Sequence, residues 1–279
     1  MTTGTGLDLP RLLGIAAEIL DGVSDAFVAG LGAPSVVVKG DTDFATQVDL
    51  DLERSIRQAL LERTGIAVHG EEFGGAPVTD GPVWVLDPVD GTYNYSVGMP
   101  VAAILLALVV DGDAVLGLTW LPLVGQRYSA HRGGPLLCNG EPVAAAAQTS
   151  LAQSAIAFGP FDVSHGGRYP GAQRAALLEV LSRRAARLRM TGSTGVDMAY
   201  AAAGIFGGAI AFGGHPWDNA AGAALVRAAG GIATDLAGNP WTVTSPSLVA
   251  GAPEIHAELM ALIRDAFDTP APNEEGNAS

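Results

Sequence analysis

The stretch WVLDPVDGTYNY, residues 84–95, ends an apolar run in two aspartates three positions apart, followed by Gly91 and Thr92. If Leu86 closes a strand, Asp87 and Asp90 flank the turn that leaves it, where open α/β sheets place their ligands. Hard cations such as Mg2+ take oxygen donors: one or two carboxylates, waters and phosphate. Val89 offers a backbone carbonyl from the same turn. Gly91 and Thr92 would open a helix whose free N–H groups suit a phosphate. An Asx turn with solvated acids is the competing reading, and the same residues satisfy it.

Two further stretches bear on that choice. Glu71 and Glu72 follow IAVHG (66–70), again acids at a strand end, although such a pair is commonly a solvated loop. Asp218, in HPWDNAAG (215–222), stands near the start of a small-residue helix, where capping is its simplest role. Three acidic ends from distant parts of the chain suggest one shared polynuclear metal site, but spacing leaves their convergence open. The serines and Cys138 form no pattern with the histidines that suits covalent catalysis. His215 reads as a packing group and Cys138 as a structural residue before the Asn139-Gly140 turn.

The elements that must position these acids follow from periodicity. Residues 7–32 and 51–65 carry helical apolar spacing, while 66–70 and 82–87 read as strands. A β-rich stretch follows at 102–110, 114–120 and 126–132, with turns at Asp111-Gly112 and Asn139-Gly140. Beyond about residue 150 strands (151–159, 186–192, 207–213, 230–236, 247–253) alternate with helices (168–184, 195–204, 217–230, 254–267). The pattern predicts an α/β protein: an α+β N-terminal half (1–147), an α/β C-terminal half (148–268) and a disordered tail (269–279). The first half is read as the metal-binding domain and the second as the substrate-contacting one only through the family resemblance given below.

Composition narrows the function. Of 279 residues, 48% are hydrophobic and 16% charged, enough for a sizeable core and too apolar for wholesale disorder. A net charge of −14 argues against nucleic acid as a partner. It leaves room for an anionic substrate, because bound cations reverse the local field. A single cysteine fits a reducing compartment, and no secretory pattern is visible. The longest apolar run, Val101–Val110, is too short to cross a bilayer. The expectation is a cytoplasmic protein with neither membrane nor nucleic-acid partners.

GEE (70–72), DPVDGTYN (87–94) and WDNAAG (217–222) together resemble the successive motifs of the inositol monophosphatase family, Mg2+-dependent and lithium-sensitive phosphatases. KGDTDFATQVD (39–49) is similar to the lysine-bearing loop before the family's second helix, and TDLAGNPW (234–241) to its late strand-turn element. The resemblance covers almost the whole chain in order, and VHGEEFGG and FGGHPWD look most like its mycobacterial branch. It implies a layered αβαβα sandwich, commonly a homodimer, that hydrolyses myo-inositol 1-phosphate with two or three Mg2+ ions per site.

The residue roles come with that resemblance. Glu71, Asp87 and the Val89 carbonyl would hold a first metal; Asp87, Asp90 and Asp218 a second; Glu71 with waters a third. Gly91 and Thr92 would hold phosphate, with Asp90 among both the catalytic and the substrate-contacting residues. Glu71 and Thr92 would orient or deprotonate the attacking water. Gly192, Ser193 and Thr194 match the segment that contacts the polyol. Lys39, Asp43, Thr46 and Asp49 match the mobile loop that closes over the site, and Glu72 stands beside the ligands.

Substrate identity is less constrained. Seven residues before Asp218, many inositol phosphatases carry a glutamate that binds ring hydroxyls; here that position is Ala211. Losing it weakens recognition of one polyol face. A broader range is therefore expected, with histidinol phosphate and fructose 1,6-bisphosphate as alternatives. Two other readings compete: a non-catalytic regulatory protein, and a dehalogenase-type phosphatase with Asp87 as nucleophile, for which Asp87-Pro-Val-Asp90 is one residue too long.

Overall fold

The computed structural model describes residues 6–38, 44–144, 150–160, 163–164 and 166–268. Helix α1 (Leu9–Ala29) starts where Asp8 accepts the Arg11 N–H at 3.1 Å, and it buries Leu12, Ala16, Ile19, Leu20 and Phe27. A short antiparallel pair, β1 (Ser35–Val38) and β2 (Phe44–Thr46), leads into α2 (Gln47–Thr64). Helix α2 is capped reciprocally: Asp49 accepts both the hydroxyl and the backbone N–H of Thr46. It ends at Gly65, whose φ of 69° is the left-handed turn that glycine tolerates.

The next segment builds an eight-stranded sheet in the order β10-β9-β8-β7-β6-β5-β3-β4. Its members are β3 (Val68–Gly70), β4 (Gly74–Gly75), β5 (Pro82–Asp90), β6 (Ala103–Val110), β7 (Asp113–Leu121), β8 (Gln126–His131), β9 (Leu137–Cys138) and β10 (Glu141–Pro142), with the short helix α3 (Thr92–Ser96) after β5. Among the described strands of this sheet, β3 and β5 pair in parallel and the other neighbours antiparallel. A second sheet, β12-β11-β13-β15-β14, combines β11 (Ala155–Phe158), β12 (Arg187–Arg189), β13 (Gly208–Ala211), β14 (Ile232–Thr234) and β15 (Leu248–Gly251). Helices α4 (Gly171–Arg184), α5 (Thr194–Ala202), α6 (Pro216–Ala228) and α7 (Pro253–Asp268) connect or follow its strands.

Alternation along the strands assigns each side chain to one of three cores. Trp84, Leu86, Ile104, Leu106 and Leu116 pack against α1 and α2. Val83, Val85, Leu105 and Ala107, on the other face, meet α5, α6 and the inner face of the second sheet. Ile156, Phe158, Ile210 and Val249 on its outer face meet α4 and α7. The result is an αβαβα sandwich. Strand β6 is covered on both faces, which is why Val101–Val110 reads as a continuous apolar run. No described helix is long and apolar enough to cross a membrane.

Several elements differ from the sequence reading. Strand β5 continues to Asp90, three residues beyond its expected end, and β1–β2 occupy flanks of a stretch read as a polar loop. Residues Leu151–Gln153 form a 3-10 turn, so the strand expected over 151–159 shrinks to β11. Lys39, Asp43 and the tail 269–279 lie outside the described residues.

Candidate functional site

Residues three apart on a regular strand point to opposite faces. Asp87 and Asp90 escape this because β5 carries a bulge: Asp87 pairs with Leu105 and Asp90 with Ala103, three steps against two. The extra residue turns both carboxylates to one side. Asp218 arrives in the first turn of α6, and carboxylate oxygens of Asp87, Asp90 and Asp218 lie within 4.8 Å of one another. Glu71, set at the end of β3, lines the same cavity of about 520 Å3, as do Val89, Gly91 and Thr92.

Such a cluster is unfavourable to itself. Burial raises the Asp87 carboxyl well above its usual range, and the charges of Glu71, Asp90 and Asp218 push it further. Asp90 rises to about 6 through burial, opposed by hydrogen bonds from Ser193, Gly195 and Thr194. Hard oxygen donors, crowded and mostly buried, fit a divalent cation, whose charge offsets this repulsion. The donor set of Asp87, Asp90 and Asp218 is one that could hold such an ion.

The surroundings hold each acid in place. The Asp87 carboxylate accepts the Val89 N–H at 2.9 Å, so the Asx turn that competed with a metal site is itself present. Asp90 accepts the Thr194 and Gly195 N–H groups at 3.1 and 2.7 Å, and the Ser193 hydroxyl donates to it. The start of α5 thus cradles a carboxylate. Gly195 permits the approach, since a Cβ there would stand 2.8 Å from Asp90 Oδ2. Thr92 Oγ1 donates to the Val89 carbonyl at 2.9 Å and more weakly to Asp49 at 3.4 Å. Asp49, fully buried, therefore joins the α2 cap to the site.

In the segment Gly192-Ser193-Thr194, Ser193 is 2% exposed with its hydroxyl on Asp90, and Gly192 packs against Asn94. Thr194 lines an adjoining cavity. Glu72 is held by its backbone, whose N–H donates to Glu53 Oε2 at 2.8 Å.

Glu53 is a residue the sequence reading missed. Fully buried on α2, it accepts the N–H groups of Glu72 and Phe73 and an Arg57 guanidinium, fixing the loop that carries Glu71. Its carboxyl is raised by burial. The available signal was an acid beside the buried stripe Leu52–Ile56–Leu60. Asn94 was missed too; its amide donates to Val101 and Thr191 carbonyls, both at 2.8 Å, tying α3 to the approach of α5. Trp217 completes the frame, stacked between His215 and His69 with ring centres 4.8 and 5.9 Å away.

The family model for the inositol monophosphatase family matches residues 11–267. The chain is 55% identical over 256 residues to the inositol-1-monophosphatase ImpA of Mycolicibacterium smegmatis, covering 92% of this chain and 93% of that one. It is 54% identical over 248 residues to the probable inositol 1-monophosphatase ImpA of Mycobacterium tuberculosis, covering 89% and 92%. Among solved structures, the Thermotoga maritima IMPase superposes with a TM-score of 0.83 at 25% identity, over 92% of this chain and 98% of that one.

Proposed function

The chain belongs to the inositol monophosphatase family, and from that premise we propose that it hydrolyses myo-inositol 1-phosphate to inositol and phosphate with Mg2+ as cofactor. The observation that carries this reading is the convergence of Asp87, Asp90 and Asp218 in a cavity also lined by Glu71 and Thr92. Bound cations supply Lewis acidity, making water a usable nucleophile at neutral pH and offsetting charge on the phosphate and the leaving oxygen.

The chain's own residues divide the remaining work. Glu71, Asp87 and the Val89 carbonyl would hold one ion, and Asp87, Asp90 and Asp218 would hold another. Two or three ions per site are proposed. Gly91 and Thr92 present backbone amides to the phosphate. The Thr92 hydroxyl, beside the Val89 carbonyl and Asp49, orients the attacking water together with Glu71. Thr46 and Asp49 are joined at the start of α2, and on the family's pattern Lys39, Asp43, Thr46 and Asp49 would belong to the segment that closes over the site. The same family reading supports lithium sensitivity, a homodimer and a cytoplasmic place of work.

Phosphate release from myo-inositol 1-phosphate, measured with and without Mg2+, tests the reading. Turnover that requires Mg2+ and disappears in Asp218→Asn is expected. Undiminished release by Asp218→Asn, or release without any divalent cation, would overturn it.

A further inference from the structure

Beside the acid cluster lies a second cavity of about 420 Å3 that shares Pro160, His215 and Asp218 with the first. Ala211, Thr194 and Arg174 line it. Arg174 is only 8% exposed. Its Nε donates to the Tyr169 carbonyl at 2.7 Å, and its guanidinium carbon stands 4.6 Å from the centre of the Phe212 ring. Among the described residues no carboxylate pairs with it.

This is an unusual place for a cation. A guanidinium has five N–H donors, and one carbonyl and one ring face engage only part of it. Burying a charge without a counter-ion is costly. Arg174 also sits in the first turn of α4, at the end of the helix dipole that repels cations. An anion in the cavity would relieve both penalties at once. The small side chain of Ala211 leaves the room for it, where a glutamate would neutralise the arginine.

We infer that the cavity beside Asp218 is a second anion subsite, in which Arg174 pairs with a phosphate or carboxylate that the substrate carries besides the phosphate being hydrolysed. The inference rests on the phosphatase reading above and widens it from neutral polyol phosphates to phosphomonoesters with a second negative group. Phe212 and Tyr169 hold the guanidinium flat, so its remaining N–H groups meet an oxyanion in a fixed plane.

The test compares kcat/KM of the full chain with Mg2+ on three substrates: myo-inositol 1-phosphate, fructose 1,6-bisphosphate and 3-phosphoglycerate. The two doubly anionic substrates separate a second phosphate from a carboxylate as the group bound. In Arg174→Gln the ratio of a doubly anionic substrate to inositol phosphate falls by about tenfold or more, mainly through KM. Arg174→Lys recovers part of it. Ala211→Glu, which leaves Arg174 in place, lowers the absolute kcat/KM on the doubly anionic substrates, whatever it does to inositol phosphate, and an undiminished value there overturns the subsite should Arg174→Gln fail to fold. A fall for either doubly anionic substrate supports the subsite and names its anion. Phosphate release with ratios unchanged in the folded variants overturns the subsite alone. No release from any substrate by the unaltered chain overturns the phosphatase reading and the subsite with it.

Discussion

Asp90 and Gly195 stand 105 positions apart and are joined by an N–H···O hydrogen bond of 2.7 Å. Through it the end of β5 in one sheet is fixed to the start of α5 in the layer beyond, with Ser193 and Thr194 adding two more donors to the same carboxylate. The site is therefore assembled across layers, and the Asp90 carboxylate depends on donors from a different layer.

Ser193→Ala removes one of those donors and leaves the two backbone amides. The Asp90 carboxyl then rises above about 6, and it is a poorer ligand at neutral pH. The Mg2+ concentration for half-maximal phosphate release should increase roughly 10–100-fold, the usual effect of losing a group that orients a ligand. Thermal unfolding in parallel separates this from general damage; an unchanged Mg2+ requirement would show that the amides of Thr194 and Gly195 suffice.

Glu53→Ala leaves the part-buried N–H groups of Glu72 and Phe73 without their acceptor, at a cost of about 1 kcal/mol or more in stability. Gly70→Ala should destabilise by a different route, since its Cβ would lie 2.0 Å from Glu53 Oε1. The clash vanishes once Glu53 is truncated. Chemical denaturation of the two single variants and the double variant should thus show a double variant more stable than additivity predicts. Strict additivity would contradict the contact.

Asp87→Asn should stabilise the metal-free protein while abolishing its response to Mg2+. In the unaltered chain burial and three neighbouring carboxylates disfavour the charged Asp87, a penalty the amide does not carry. A gain of about 1 kcal/mol corresponds to roughly 2–4 °C in Tm for a chain of this size. Melting curves with chelator and with Mg2+ check both halves, and a lower Tm in chelator would refute the repulsion argument.

His256 gives stability a pH dependence remote from the acids. Burial lowers its pKa from the ordinary 6.5, and its Nε2 lies 2.9 Å from Thr234 Oγ1. Above pH 6.5 both folded and unfolded chains hold it neutral. As pH falls the unfolded chain takes the proton first, so stability drops until the lower folded pKa is passed. Between about pH 7 and about pH 5 the Tm of the unaltered chain should fall further than that of His256→Gln. Parallel curves would exclude the effect.

The legible parts of this site were those written locally. Acids after apolar runs marked Asp87, Asp90, Glu71 and Asp218 as candidates, and helical spacing located α2, α6 and α7. The bulge that aligns Asp87 with Asp90 was not legible, because it exists only in the register between β5 and β6. Nor was the hydrogen bond from the Ser193 hydroxyl to Asp90 legible, because it joins residues 103 positions apart. Strands β1 and β2 are too short to carry a period.

Helix α6 meets the large sheet with almost nothing between them. Its buried face is Ala220, Ala221, Gly222, Ala223 and Ala224, and a Cβ on Gly117 of β7 would come within 2.5 Å of the Ala221 carbonyl. A layer of leucines can shift rotamers to absorb a change; a carbonyl resting on a glycine cannot. The distance from Asp218 to the aspartates of β5 is consequently set by main chain against main chain. Were those carboxylates to hold a divalent cation, discrimination by radius, Mg2+ against the larger Ca2+ with its longer bonds, would be a property of backbone stacking, insulated from drift in core composition elsewhere in the molecule.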